Sequence, residues 1–375
     1  MSKLNIDELN SAMTCSGLNQ AKLAEQLSVS REIVSQWLKG LKFPRPDKLL
    51  MLGIQLGLSY DRLVVEDESL NAPVIAFRKK GNRITKPEHV KRAKDMGLLL
   101  EKLVPFIPCN KISKFERPAT LKRPVVNYNY MNELCAYIRH DMGVKDNDGI
   151  EFEQIINKIN KLNAILIPVL WGEKKHHENA LHIYLPESMT AWIYINLDTN
   201  LHDFKFWMAH ELGHVYSPEL REDEAEEFAD LFAQVLLFPP RLAEEAYDEF
   251  KQIKSSSGRI EKAIHLAKKH IISPYTVVTA TNAFARNKEL LEIEFGANYY
   301  AAITRFNKQY KPVYVSLFKT SMPSAKDYLM MSEKIFKTPF FSALGEYIKI
   351  NSSDAFIQNI LQMPIMDTKA LIREL

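Results

Sequence analysis

The stretch Phe206–Pro240 reads FWMAHELGHVYSPELREDEAEEFADLFAQVLLFPP, with two histidines four residues apart, a glutamate beside the first, and a second, acidic segment of helical pattern after them. At that spacing His210 and His214 share one face of a helix, so both imidazoles can meet a single cation. Zinc suits two imidazoles and a carboxylate, with a fourth position left for water. Glu211 projects beside the pair, where it can take a proton from that water as it attacks and return it to a leaving amine. Gly213, in mid-helix, is about 1 kcal/mol less favourable than alanine, so a close approach there is expected. The third ligand is expected from the next helix, which offers Glu226 and Asp230 at i and i+4. Glu226 is taken as the ligand, and Asp230 as the group that holds the other ring nitrogen of a ligand histidine. Glu222, Glu224 and Glu227 read as solvated residues that favour a helix N-terminus.

HELGH followed by Glu226, Ala229, Asp230, Phe232, Ala233, Leu236, Leu237 and Pro239 resembles the ImmA/IrrE family of bacterial metallopeptidases. That family's usual pattern is HELGH, then E-x-x-A-N-x-F-A-x-x-L-L-M-P; Asp230 stands here where Asn is common, and Phe238 where Met is common. Asp230 is also similar to the ExxxD arrangement of gluzincins. The chain lacks the arginine often seen ahead of the helix. The resemblance covers about 130–285 and implies a zinc endopeptidase acting on repressors or other regulatory proteins of mobile elements and stress responses. It also implies a small twisted sheet beside the zinc helices, whose edge strand would hold an extended substrate by main-chain pairing. Three runs rich in β-branched and aromatic residues, 164–171, 180–185 and 190–197, fit that slot. The oxyanion of the tetrahedral intermediate needs a further donor, and Tyr216, Tyr184 and Tyr194 remain open for it. His176-His177 read as a polar turn and His182 as structural. His265 and His270, on a lysine-rich helix, suggest no site.

The segment Asn19–Gly40, NQAKLAEQLSVSREIVSQWLKG, has a different character. Two short helical patterns, capped by Asn19 and Ser30, flank Ser28-Val29. Gln20, Ala24, Leu27, Val29-Ser30, Val34, Trp37, Gly40 and Pro44 resemble the Xre/Cro-type helix-turn-helix. In such motifs the second helix enters the major groove, so Ser30, Arg31, Glu32, Ser35 and Gln36 are the candidates for base edges. Gln20, Lys39, Lys42 and Arg45 would sit by phosphates. Residues 1–65 carry eight Lys/Arg against six Asp/Glu, too modest an excess to decide the matter by charge. The cations do cluster at 39–48.

Between Arg78 and Arg123 fourteen cations face four acidic residues, a basic connector with one helix over Pro87–Val104 and then a proline-punctuated stretch. With 375 residues the chain is long for one core. The organisation expected is a multidomain α+β protein. It comprises an all-α DNA-binding domain at 1–65, the connector at 66–126, a metallopeptidase domain at 127–285, and a mostly helical region of unread role at 286–375. KPVYVSLF (311–318) reads as a strand within that region.

Three separated cysteines argue for a reducing cytoplasm and against a disulfide framework. The polar start MSKLNIDELN shows no secretory signal, and no apolar run is long enough to span a membrane. The function expected is a homodimeric transcription regulator of bacterial or phage origin that binds an operator duplex. Its endopeptidase, with one Zn2+ per chain, would cleave itself or a repressor-like partner. The alternative is a DNA-binding repressor or antitoxin-like protein whose zinc domain senses or stabilises without proteolysis.

Overall fold

The computed structural model describes residues 2–66, 73–76, 87–108, 123–145, 147–171, 180–318, 323–351, 353–363 and 365–375. The chain divides into two compact units, Met1–Ala72 and Pro73–Leu375.

In the first unit a short ribbon of β1 (Ser2–Leu4) and β2 (Val64–Glu66) ties the ends together. Five helices lie between: α1 (Ile6–Cys15), α2 (Gln20–Gln26), α3 (Arg31–Leu38), α4 (Pro46–Leu56) and α5 (Tyr60–Leu63). The expected caps are present. The Asn19 side chain accepts from the Ala21 and Lys22 amides at 3.1 and 2.9 Å, and the Ser30 hydroxyl accepts from Ile33 N–H at 3.3 Å. Leu23, Ala24, Leu27, Val34 and Trp37 form the inner face of the α2–α3 pair, closed by Leu9, Met13, Leu49 and Leu52. Helical periodicity fixes that face. The ribbon adds Leu4 and Val64 to the same core, but its two three-residue strands carry no readable period.

The second unit is built on a four-stranded sheet of order β3-β5-β6-β4, comprising β3 (Val74–Ala76), β4 (Ile165–Val169), β5 (Ala180–Leu185) and β6 (Thr190–Asn196). β4 runs parallel to β6, while β5 is antiparallel to both β6 and β3. Pro168 sits on the edge strand β4, where the missing N–H is tolerated. Both faces are covered, so the strands read as nearly continuous apolar runs rather than alternations. Ile193, Ile195 and Leu197 enter one core with Leu166, together with α7 (Tyr128–Asp141), α8 (Phe152–Lys161), α9 (Leu201–Tyr216) and α10 (Glu222–Leu237). Ile165, Ile167, Leu181, Ile183, Trp192 and Tyr194 enter the other, under a helix of the connector, α6 (Pro87–Glu101).

The next helices are α11 (Pro240–Gln252), α12 (Ser256–His270) and α13 (Pro274–Asn287), with Ser273 accepting from Tyr275 N–H at the start of α13. The C-terminal region belongs to this same unit. Its helices α14 (Tyr299–Asn307), α15 (Val313–Phe318) and α16 (Ala325–Phe336) are followed by α17 (Phe340–Ile350), α18 (Asp354–Leu361) and α19 (Ile365–Glu374). Phe295, Tyr299, Phe306 and Phe336 complete the first core, and Phe340, Phe341, Leu344, Ile357 and Ile360 the second. The strand expected at 311–318 is instead α15. Its first amides, of Val313 and Tyr314, donate to the Thr199 and Leu197 carbonyls. Val313 buries against the first core, and tertiary contact overrides the β-branched pattern. Among the described residues no helix is long and apolar enough to cross a membrane.

Two buried histidines make this fold sensitive to acid. His202 packs edge-on against Phe306 and Tyr310, its ring centroid 4.8 and 4.1 Å from theirs. Burial, aided by Lys205, lowers it to about 4. Burial, aided by Lys269, Lys205 and Arg139, lowers His270 to about 4 as well. Between that value and the ordinary 6.5 the unfolded chain binds more protons than the folded one, so their contribution is complete above pH 6.5 and lost as pH falls toward 4. Thermal melts in chelator should show Tm falling through this window, and less steeply for a His202→Gln/His270→Gln variant. An unchanged slope would remove these residues from the account.

Candidate metal centre

The centre is formed where α9 crosses α10, and glycine sets how closely. A Cβ added at Gly213 would lie 2.9 Å from the Ala229 Cα, 3.2 Å from Phe232 Cδ1 and 3.3 Å from the Ala229 Cβ. The backbones therefore meet at Gly213 and Ala229, one residue before His214 and three after Glu226.

His210 Nε2 and His214 Nε2 face each other at 3.1 Å. The Glu226 carboxylate reaches across, with Oε2 3.6 Å from His210 Nε2 and Oε1 3.3 Å from His214 Nε2. Ligands bound tetrahedrally to zinc at about 2.1 Å stand about 3.4 Å apart, so these three separations suit one zinc-sized cation. Behind His210, Nδ1 meets Asp230 Oδ1 at 2.9 Å. A proton on that nitrogen leaves the Nε2 lone pair free for a metal, the part expected of Asp230. His210 and His214 are buried, Glu226 is 12% exposed and Asp230 44%.

The electrostatics follow from placing carboxylates among buried imidazoles. Burial opposes charge on Glu226, yet hydrogen bonds from His210 and His214 hold its carboxyl down to about 2. Burial also opposes charge on His210, and the bonds to Asp230 and Glu226 overcome it, taking the imidazole up to about 10. His214 is lowered by its burial. Glu211 is 4% exposed, with Oε2 lacking any protein partner. Burial lifts its carboxyl to about 8, with His210 opposing and Glu226 adding to the rise. A carboxyl that can hold a proton near neutral pH thus lies beside the Glu226 carboxylate and the His210 imidazole, a placement suited to proton transfer.

The three tyrosines left open by the sequence separate in space. Tyr216 is core, stacked on Phe232 with ring centroids 5.7 Å apart. Tyr194 lies on the far face of the sheet, stacked 5.5 Å from Trp171. Tyr184, half-buried, is on β5. His182 is the residue that sequence reasoning set aside. Its ring lies 5.5 Å from that of His214, and its Nε2 is buried with no protein partner. Burial and then His214 press its pKa well below the ordinary value. Strand parity was the available signal. Leu181, Ile183 and Leu185 fill the far core, so His182 must face the metal helices.

In the first unit Arg31 and Glu32 are exposed at the start of α3, and Ser35 and Gln36 are half-exposed. Gln20 is half-buried at the start of α2, while Lys39, Lys42 and Arg45 are exposed. The Ser30 hydroxyl is engaged as a cap. Lys48 Nζ donates to the Leu27 carbonyl at 2.8 Å, which takes it out of the cluster of free cations. His176-His177, Cys109 and most of the connector's cations lie outside the described residues.

No protein-family model, curated protein or solved structure matches the chain.

The crossing gives a direct test. In an open helix, Gly213→Ala gains about 1 kcal/mol in helix propensity. Here the methyl meets backbone at 2.9 Å, and such overpacking costs about 1–3 kcal/mol. The clash should prevail, lowering Tm and, by spreading α9 from α10, weakening metal binding. A variant as stable and as metal-avid as the parent would show that the helices are not held by this contact.

Proposed function

We propose that this chain is a DNA-binding regulator with a built-in zinc endopeptidase. The observation that carries the reading is the convergence of His210, His214 and Glu226 at metal-ligand distances, with Asp230 behind His210 and Glu211 buried alongside. The resemblance of the same residues to the ImmA/IrrE pattern supports it.

Zinc held by the three ligands would supply Lewis acidity, polarising a peptide carbonyl and making a water acidic near neutral pH. Glu211 takes the proton from the attacking water and delivers it to the amine that leaves. Its unpartnered Oε2 is free for that transfer. Asp230 fixes the ring and tautomer of His210. His182, with a free buried nitrogen beside His214, donates to the oxyanion that develops on the carbonyl. An extended peptide would pair antiparallel with β5 along the side that β3 occupies.

On this reading the first unit supplies the address. Arg31, the first residue of α3, can pair bidentately with guanine, and Glu32 can accept from cytosine. Leu50, Ile54 and Tyr60 leave large apolar groups exposed at 67%, 71% and 60%, a face suited to a second copy and hence to an inverted-repeat operator.

Metal analysis should find about one zinc per chain. Loss of His210, His214 or Glu226 should strip it, while Glu211→Gln should retain it and abolish peptide cleavage. Full proteolysis by Glu211→Gln would exclude the mechanism. For DNA, Arg31→Ala should weaken operator binding by about 1–3 kcal/mol and relax preference at one base pair, whereas Lys42→Ala should weaken all duplexes alike with a shallower salt dependence. Equal affinity of the parent for operator and random duplex would end the regulator reading.

A further inference from the structure

The sheet edge that faces the metal centre is already paired. β3 lies antiparallel to β5, in the register Val74↔Tyr184, Ile75↔Ile183 and Ala76↔His182. It also lies against α10, the helix that carries Glu226. β3 therefore fills the strip between the sheet and one of the metal helices, where an extended peptide substrate would have to lie.

Register makes the placement specific. On the main chain Ala76 stands directly opposite His182, whose ring adjoins His214. Ile75 points into the far core with Ile183. Pro73 anchors the start of the strand. A Cβ added at Gly97 of α6 would come within 2.5 Å of the proline ring and 3.3 Å of Ile183 Cγ2. In the sequence, the segment directly follows the boundary between the two units.

We propose that Val74–Ala76 is the peptidase's own substrate strand, and that the chain cuts itself in cis beside Ala76. The substrate class this implies is an extended, uncharged segment with a branched aliphatic side chain toward the far core. The inference rests on the endopeptidase reading. The reaction is simple hydrolysis. The hydroxyl of water joins the scissile carbonyl carbon, the C–N bond breaks, and the remaining proton passes through Glu211 to the departing amine. No oxidant or co-reactant is consumed. The products are the first unit with a short tail and the metal-binding unit that retains α6.

The test follows full-length chain by intact mass. Zinc-loaded parent should yield two fragments whose new termini fall beside Ala76, while Glu211→Gln and zinc-free parent stay whole. Ile75→Glu sets a charge into the far core beside Ile183, displaces the strand, and should slow the cut on the order of 100-fold. That variant should still cleave an added peptide of the native sequence 68–82. Independently of activity, amide exchange in zinc-free Glu211→Gln should show residues 74–76 protected together with 180–185. Lack of that protection would overturn the proposal. So would zinc-loaded parent that remains whole while cutting the added peptide, an outcome that leaves the endopeptidase standing. If neither the chain nor the peptide is cut, the endopeptidase reading itself falls.

Discussion

The contact between Gly213 and Ala229 is the constraint on which the centre depends. Two helices normally pack with axes 8–10 Å apart, set by the side chains between them. Here the added methyl of an alanine at 213 would stand 2.9 Å from the Ala229 Cα, so only glycine permits this approach. That closeness brings a glutamate of one helix to within 3.3 and 3.6 Å of two imidazoles on the other. It also lets Asp230, four residues beyond Glu226, reach the back of His210 at 2.9 Å. The conformational disadvantage of a mid-helix glycine is thus offset by the assembly of charged and polar groups around one point. Phe232, stacked on Tyr216 and Phe228, buttresses the crossing with aromatic area.

A crossing this tight needs support from outside, because buried carboxylates and imidazoles without compensation oppose folding. The sheet provides it. Ile193, Ile195 and Leu197 press on one side, and the far face is sealed by α6 and the aromatic residues of α17. This explains why residues 286–375 pack into the second unit. Without Phe340, Phe341 and Ile357, the strand that carries His182 would have one bare face.

Much of the centre was legible in the sequence because its information is local. The i, i+4 spacing of His210 and His214 and of Glu226 and Asp230 fixes faces by helical geometry alone, and the spacing of the two segments agrees with a helical hairpin. What escaped was non-local. Parity with Leu181, Ile183 and Leu185 gives the face of His182, but that His214 lies under that face is set by the packing of a helix on the sheet. Ser2–Leu4, Val64–Glu66 and Val74–Ala76 are three-residue strands, too short for a period, defined wholly by their partners. Residues 313–318 failed oppositely, since their pattern was clear and tertiary contacts to Leu197 and Thr199 overruled it. The basic connector was legible as composition and as one helix, found at Pro87–Glu101.

The pairing of β3 with β5 bears on why the proposed DNA-reading unit and the proposed hydrolytic centre should share a chain. An exposed sheet edge beside a metal centre accepts any extended peptide, because main-chain pairing is indifferent to sequence. A peptidase with such an edge endangers its surroundings. Covering the edge with a covalently attached strand changes the competition, since a tethered segment acts at an effective concentration in the millimolar range for a short linker. A free peptide of ordinary affinity is then excluded until the strand leaves or is cut. If the strand is cut, two consequences are coupled by one bond. The edge opens to other chains, and the helices α1–α5 lose their link to the unit they address. Any DNA affinity that depended on the joined protein, including dimer contacts made by the larger unit, is lost with it. Under the proposed self-cleavage the coupling needs no separate signal path between the units, because the strand that covers the sheet edge directly follows the boundary that joins them.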